Sequence, residues 1–146
     1  MACVKVLVGA QWGDEGKGKW CDVFSKQADI VVRFQGGNNA GHTLYIDGKK
    51  VVLHQLPSGL LHQNQVLALA AGMVINPDAL LVEIKALGAL AKKLSPKTLW
   101  ISEQAQVITP WHLYQDDQRE RSIKNPIGTT KKGIGPAYQD KAQRTG

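Results

Sequence analysis

Within Gly13-Asp14-Glu15-Gly16-Lys17-Gly18-Lys19, three glycines and two lysines surround a pair of acids. Glycines let a backbone approach a ligand closely, and lysines suit phosphate oxygens. Asp14 is the unexpected member. An acid among phosphate-binding amides repels phosphate unless a cation or a reacting proton lies between them. Asp14 therefore reads as a Mg²⁺ ligand, a general base, or both, against the plainer alternative of a solvated acid in a Gly-rich turn. The stretch is not a standard P-loop, G-x-x-x-x-G-K-[ST]. The gap from Gly9 to Gly16 is two residues longer, and Gly18 stands where the metal-binding hydroxyl would be.

Two further stretches carry similar chemistry. Gln35-Gly36-Gly37-Asn38-Asn39-Ala40-Gly41-His42-Thr43 combines amide side chains, glycines and a histidine able to act as acid or base near neutral pH. Gly128-Thr129-Thr130-Lys131-Lys132-Gly133-Ile134-Gly135-Pro136-Ala137-Tyr138 reads as an anion-friendly loop. Either alone reads equally as an ordinary Asn/Gly turn or a mobile basic loop. Three together are poorly explained by chance. His54 and His62 read as surface or core histidines, since no histidine pair has H-x-x-x-H zinc spacing.

Loops of this kind need strands and helices to aim them. The apolar run from Val4 to Ala10 predicts a buried strand, and Trp20-Cys21-Asp22-Val23-Phe24 a following helix. Strand, glycine-rich turn, helix is the order that points backbone N–H groups at a phosphate. Ile30–Phe34, Val66–Ala70 and Leu99–Ile101 read as further strands. Thr43–Ile46 and Lys50–Leu53 flank Asp47-Gly48, a type I′ turn pair, and so predict a hairpin. Asn76-Pro77-Asp78 opens a helix that carries Leu80, Leu81, Ile84, Leu87 and Leu94 near one face, with Gly88 a mild weakness inside it. Thr109-Pro110 opens another through about Arg121, its charged run from Asp116 reading as a solvated face. The order implies an α/β fold with a mixed central sheet flanked by helices and a P-loop-like first βα turn suited to a phosphate.

Composition narrows the partners. The 146 residues make one domain, 43% hydrophobic, with a net charge of +6 that favours anions. Aromatics are only 6% and none interleave with the basic C-terminal stretch, which argues against a nucleic-acid stacking platform. Two cysteines, Cys3 beside the first strand and Cys21 on the first helix, build no disulfide framework and read as reduced. No signal peptide precedes the first strand and no apolar run is bilayer-length, so a cytoplasmic protein without membrane partners is expected.

Residues 11–19, 35–43, 56–59 (Leu56-Pro57-Ser58-Gly59) and 127–138 resemble the signature segments of the adenylosuccinate synthetase family, in that family's order and spacing. The resemblance runs from Val4 to Gly146, with Ala71-Gly72 a small departure where Asn-Gly is common. It implies GTP-dependent ligation of IMP and L-aspartate to adenylosuccinate through a 6-phosphoryl-IMP intermediate. Asp14 would take the N1 proton of IMP and His42 would act as the acid. Gly13, Asp14, Glu15, Gly16, Lys17, Gly18 and Lys19, with Gly41, His42 and Thr43, would hold GTP. Asp14, Glu15, Gly16, Lys17, Asn39, Ala40, Gly41, His42, Thr130 and Arg144 would contact IMP. Asp14 and the Gly41 carbonyl would hold one Mg²⁺ per subunit. Arg144 would reach the partner's IMP site in a homodimer. Residues 1–146 would then be the N-terminal part of a single synthetase domain, lacking the aspartate and guanine sites. The alternative is a truncated, non-catalytic nucleotide-binding or dimerisation module.

Overall fold

A computed structural model describes residues 3–11, 13, 15–46, 49–62, 65–122 and 128–144. Strands β1 (Ile30–Gly36), β2 (His42–Ile46), β3 (Lys49–Leu53), β4 (Val66–Ile75), β5 (Leu99–Ile101) and β6 (Gln106–Val107) are joined with helices α1 (Lys17–Ser25), α2 (Pro77–Ala86), α3 (Pro110–Ser122) and α4 (Ile134–Gln143). β4 is the spine. It pairs in parallel with β1, with β5 and, through Val74 and Ile75, with β6. Its run Val-Leu-Ala-Leu-Ala-Ala-Gly-Met-Val-Ile is apolar throughout; Leu67 and Leu69 are buried, while Ala68 on the other face lies half-buried between the exposed Val32 and Trp100 of its neighbours. The fold is α/β as expected, but its two strand directions are kept apart: the antiparallel pair β2–β3 forms a sheet of its own.

At Gly72 the register between β1 and β4 shifts, and a Cβ there would fall 2.3 Å from the Phe34 carbonyl oxygen. Only glycine permits that approach, and β4 carries one extra residue there, a bulge facing Phe34 just before the second loop. The main core gathers Val31, Leu53, Leu56, Leu67, Leu69, Met73, Ile75, Leu80 and Leu87 between the sheet, the hairpin exit and α2. A smaller cluster, Val74, Ile108 and Ala137, with Leu113, Ile134 and Tyr138 packed on it, seats α3 and α4.

The helix signals at Asn76 hold: its side-chain oxygen accepts from the Ala79 N–H at 3.0 Å, with Pro77 at the first position. The α-helix ends at Ala86, earlier than the leucine spacing predicts, because Gly88 takes φ 57° and the chain tightens into a 3₁₀ turn over Gly88–Lys93. Two expectations fail outright. Residues 3–9 form no strand: Val4, Val6 and Val8 are 86%, 71% and 70% exposed. A strand exists only by pairing with an edge, and among the described residues no edge meets this one. The third stretch is loop only as far as Gly133; from Ile134 it is helix α4, which accommodates Pro136 in its first turn. The Asp47-Gly48 turn lies outside the described residues.

Candidate active site

Helix α1 opens directly after Gly16, which holds the left-handed conformation (φ 76°, ψ 25°) that ends the glycine-rich turn. Among the described residues no side chain caps this terminus; the Lys19 N–H turns back to the Gly16 carbonyl at 3.0 Å, and the amides of Lys17 and Gly18 before it suit an anion. Lys17 is paired with Glu15, whose other oxygen accepts from the Gln11 N–H at 3.0 Å. The lysine holds the Glu15 carboxyl below the usual carboxylate range. Lys19 and Gly13 are exposed.

The second stretch folds onto this helix. A Cβ on Gly18 would lie 2.6 Å from Cδ2 of His42, so the imidazole rests against the first turn of α1 and only glycine leaves room for it. His42 is half-buried, and its Nδ1 is enclosed with no hydrogen-bond partner among the described residues. Burial pushes its pKa below the ordinary 6.5, and the charges of Arg33, His54 and Lys17 push the same way. Arg33 donates to the Gly37 carbonyl at 2.9 Å and also to the His54 carbonyl. The His54 ring nitrogen Nδ1 lies 3.1 Å from the Ala40 carbonyl oxygen.

The third stretch closes on the second. Lys132 Nζ donates to the Asn38 carbonyl at 2.8 Å. Tyr138 Oη accepts from the Gly36 N–H at 2.7 Å and donates to the Gly72 carbonyl at 2.8 Å. The acids of α3 are not the solvated face that their run predicts. Asp116 is buried and accepts from the Gly133 N–H at 2.8 Å, while Glu120 accepts from the Gly128 N–H at 2.6 Å. Asp117 pairs with Lys131 and Arg121, so one helix face holds the whole loop. Beside it lies a cavity of about 550 Å³ lined in part by Asn38, Lys50, His54, Glu83 and Lys132.

Gly18 and His42 are thus brought into contact, with Glu15, Gly16, Lys17, Gly41 and Thr43 beside them in the chain. Asn39, Ala40 and Thr130 are exposed next to residues that the Lys132–Asn38 bond joins. Arg144 is not brought in: it ends α4 at φ 59°, exposed, and among the described residues no hydrogen bond or ion pair ties it to the others. Asp14 lies outside the described residues. Sequence reasoning passed over Arg33 and Glu83 and read His54 as an ordinary surface or core histidine. Arg33 stands alone in an apolar strand, and Glu83 sits three residues after Leu80 and four before Leu87, on the helix's inward face; both are signals of a buried charge with work to do.

Among the described residues no three His, Cys, Asp or Glu side chains converge as a metal site, and no helix is long and apolar enough to cross a membrane. Residues 6–146 match the family model described as adenylosuccinate synthetase. Curated adenylosuccinate synthetases from Francisella tularensis subsp. novicida and Clostridium novyi are each 52% identical over 97% of this chain and 33% of their own length. The chain therefore spans about a third of the length of the curated relatives it matches. A fully ligated adenylosuccinate synthetase from Plasmodium falciparum superposes with a TM-score of 0.82 at 45% identity, covering 93% of this chain and 32% of that one. A cyanophage S-2L succinoaminodeoxyadenylate synthetase, bound to dGMP and to dATP as an energy donor, gives 0.71 at 29% identity, covering 92% and 36%. From Val6 to the last residue, this chain belongs to the adenylosuccinate synthetase family.

Proposed function

We propose that this chain supplies the phosphoryl-transfer half of an adenylosuccinate synthetase, which joins IMP and L-aspartate at the expense of GTP. The apposition of His42 on Gly18 at the uncapped start of α1 carries this reading. It sets an acid–base group beside amides suited to a γ-phosphate. In the proposed reaction Asp14 removes the N1 proton of IMP, and the 6-oxygen attacks the γ-phosphate of GTP, breaking its bond to the β,γ-bridging oxygen so that GDP leaves. The amine of aspartate then displaces phosphate from the 6-phosphoryl intermediate. Residues 13–19 and 41–43 cradle GTP. Asp14 to Lys17, Asn39 to His42 and Thr130 contact IMP.

His42 as an acid must hold a proton when phosphates are present. Without them, burial and the cations Arg33 and Lys17 depress its pKa. Phosphates entering beside these cations offset their charge and raise that pKa again. That shift favours the protonated ring when there is charge to support.

Mg²⁺ fits the donors present. It takes one or two carboxylates together with substrate phosphate oxygens, and the hard oxygens here are the Asp14 carboxylate and the Gly41 carbonyl. Gly41 is exposed and precedes the first hairpin pair, His42 with Leu53. One ion per subunit would neutralise phosphate charge. The working unit in this reading is a homodimer in which Arg144 reaches the partner's IMP site. Its exposure and its position outside the cluster suit that role. Two free cysteines fit a reducing cytoplasm.

The test is adenylosuccinate formation by the natural polypeptide that carries this sequence, with GTP, IMP, aspartate and Mg²⁺. Asp14→Asn and His42→Asn are each expected to slow turnover by on the order of 10²–10⁴ while nucleotide binding persists. Absence of product from the unaltered protein, or undiminished turnover in both variants, would refute the assignment.

A further inference from the structure

We propose that His54 is a positioning residue for this reaction, its ring fixing the Ala40–Gly41–His42 backbone; the inference rests on the function assigned above. His54 is held on three sides. Its N–H donates to Glu83 Oε1 at 2.8 Å, its carbonyl accepts from Arg33, and its Nδ1 lies 3.1 Å from the Ala40 carbonyl oxygen. A carbonyl only accepts, so Nδ1 carries the proton in this contact. The ring edge also backs Gly41, where a Cβ would lie 3.2 Å from His54 Cε1.

The hairpin register makes the coupling direct. His42 pairs with Leu53, so His54 is the residue that follows His42's own ladder partner. One histidine lies against α1 and the other ties down the turn that delivers it. The anchor beneath is rigid. Glu83 accepts from the N–H groups of His54, Gln55 and Leu56 at 2.8, 2.8 and 3.1 Å. The Gln55 amide exchanges two bonds with the Asn76 backbone, donating at 3.0 Å and accepting at 2.9 Å. The place of His54 is thus set by α2 and the core before any substrate arrives. Its ring faces the loop that bears His42.

The experiment compares His54→Ala with His54→Asn in the natural polypeptide carrying this sequence, since the Asn amide N–H can stand where Nδ1–H stands. Misplacing a reacting group by about 1 Å costs roughly 10²-fold, so His54→Ala should lose about that factor in kcat, with a smaller rise in KM for IMP and GTP because the same backbone contacts them. His54→Asn should recover most of it. A full kcat in His54→Ala, or a loss that Asn does not relieve, overturns the proposal. A second readout needs no activity: ¹⁵N NMR of the unaltered protein should show Nδ1 as the protonated nitrogen of His54. The opposite tautomer overturns the proposal as well. If the unaltered protein makes no adenylosuccinate, the assigned function fails, and the NMR result alone decides the role of His54.

Discussion

Glu83→Gln is the sharpest perturbation of the scaffold. Glu83 is buried, and its two oxygens accept three backbone N–H groups at the hairpin exit. Glutamine keeps one acceptor. Its best rotamer leaves that oxygen on His54 and Leu56 and turns the amide NH₂ toward the N–H of Gln55, which is wholly buried. One orphaned buried donor costs about 1–3 kcal/mol, and each of the two surviving bonds loses about 1 kcal/mol when its acceptor loses its charge. Relief of the carboxylate's desolvation offsets part of this. The net expectation is about 3 kcal/mol, a large share of the ~5–15 kcal/mol that holds a domain. A buried ion pair can often be replaced by apolar residues at no loss. That escape is closed here, because the three donors belong to the backbone and remain whatever stands at position 83. Glu83→Met should therefore be at least as damaging as Glu83→Gln. Urea unfolding should show a lower midpoint at unchanged slope. Amide exchange at His54, Gln55 and Leu56 should accelerate about 100-fold, at ~1.4 kcal/mol per factor of ten. A Glu83→Gln protein within about 0.5 kcal/mol of the parent, with these three amides equally protected, would refute the account of the anchor.

Two further outcomes follow from the loops. His42 has a folded pKa below its ordinary 6.5, so the unfolded chain binds that proton more readily. Its penalty is absent above 6.5 and grows as pH falls from there through the folded value. The difference in unfolding free energy between the parent and His42→Asn should change across that window; parallel curves would show that His42 is not held neutral. Gly18→Ala sets alanine's gain of about 0.5–1 kcal/mol over glycine in a helix against about 1–3 kcal/mol for crowding the His42 ring, so stability should fall slightly. Its Cβ, 2.6 Å from the His42 ring, should displace the imidazole and cut adenylosuccinate formation by roughly 10²-fold. Full activity in that variant would mean that the ring is not needed where it stands.

What was legible in the sequence is what local chemistry decides. The Asn76-Pro77 cap, the three apolar strands and the hairpin carry their own signals, and each forms where those signals stand. The contact of His42 with Gly18 was half legible: both residues read as functional, but nothing in their spacing could say that they touch. The failures are those of partnership. Val4, Val6 and Val8 have the composition of a buried strand, yet a strand's hydrogen bonds belong to its neighbour, and composition does not name the neighbour. Gly133, Gly135 and Pro136 read as loop because glycine and proline break helix interiors, while at a helix's first turn neither does harm. Asp116 and Glu120 read as solvated because charge usually is; only the fold of residues 128–133 over α3 supplies the N–H groups that bind them. The same holds for Glu83 and His54. His54 reads as ordinary and the spacing of Glu83 from Leu80 and Leu87 marks only its burial; what each one holds comes from backbone groups that are nearby only once the chain has folded. Backbone amides are identical at every residue, so the sequence cannot mark which of them a buried carboxylate will collect.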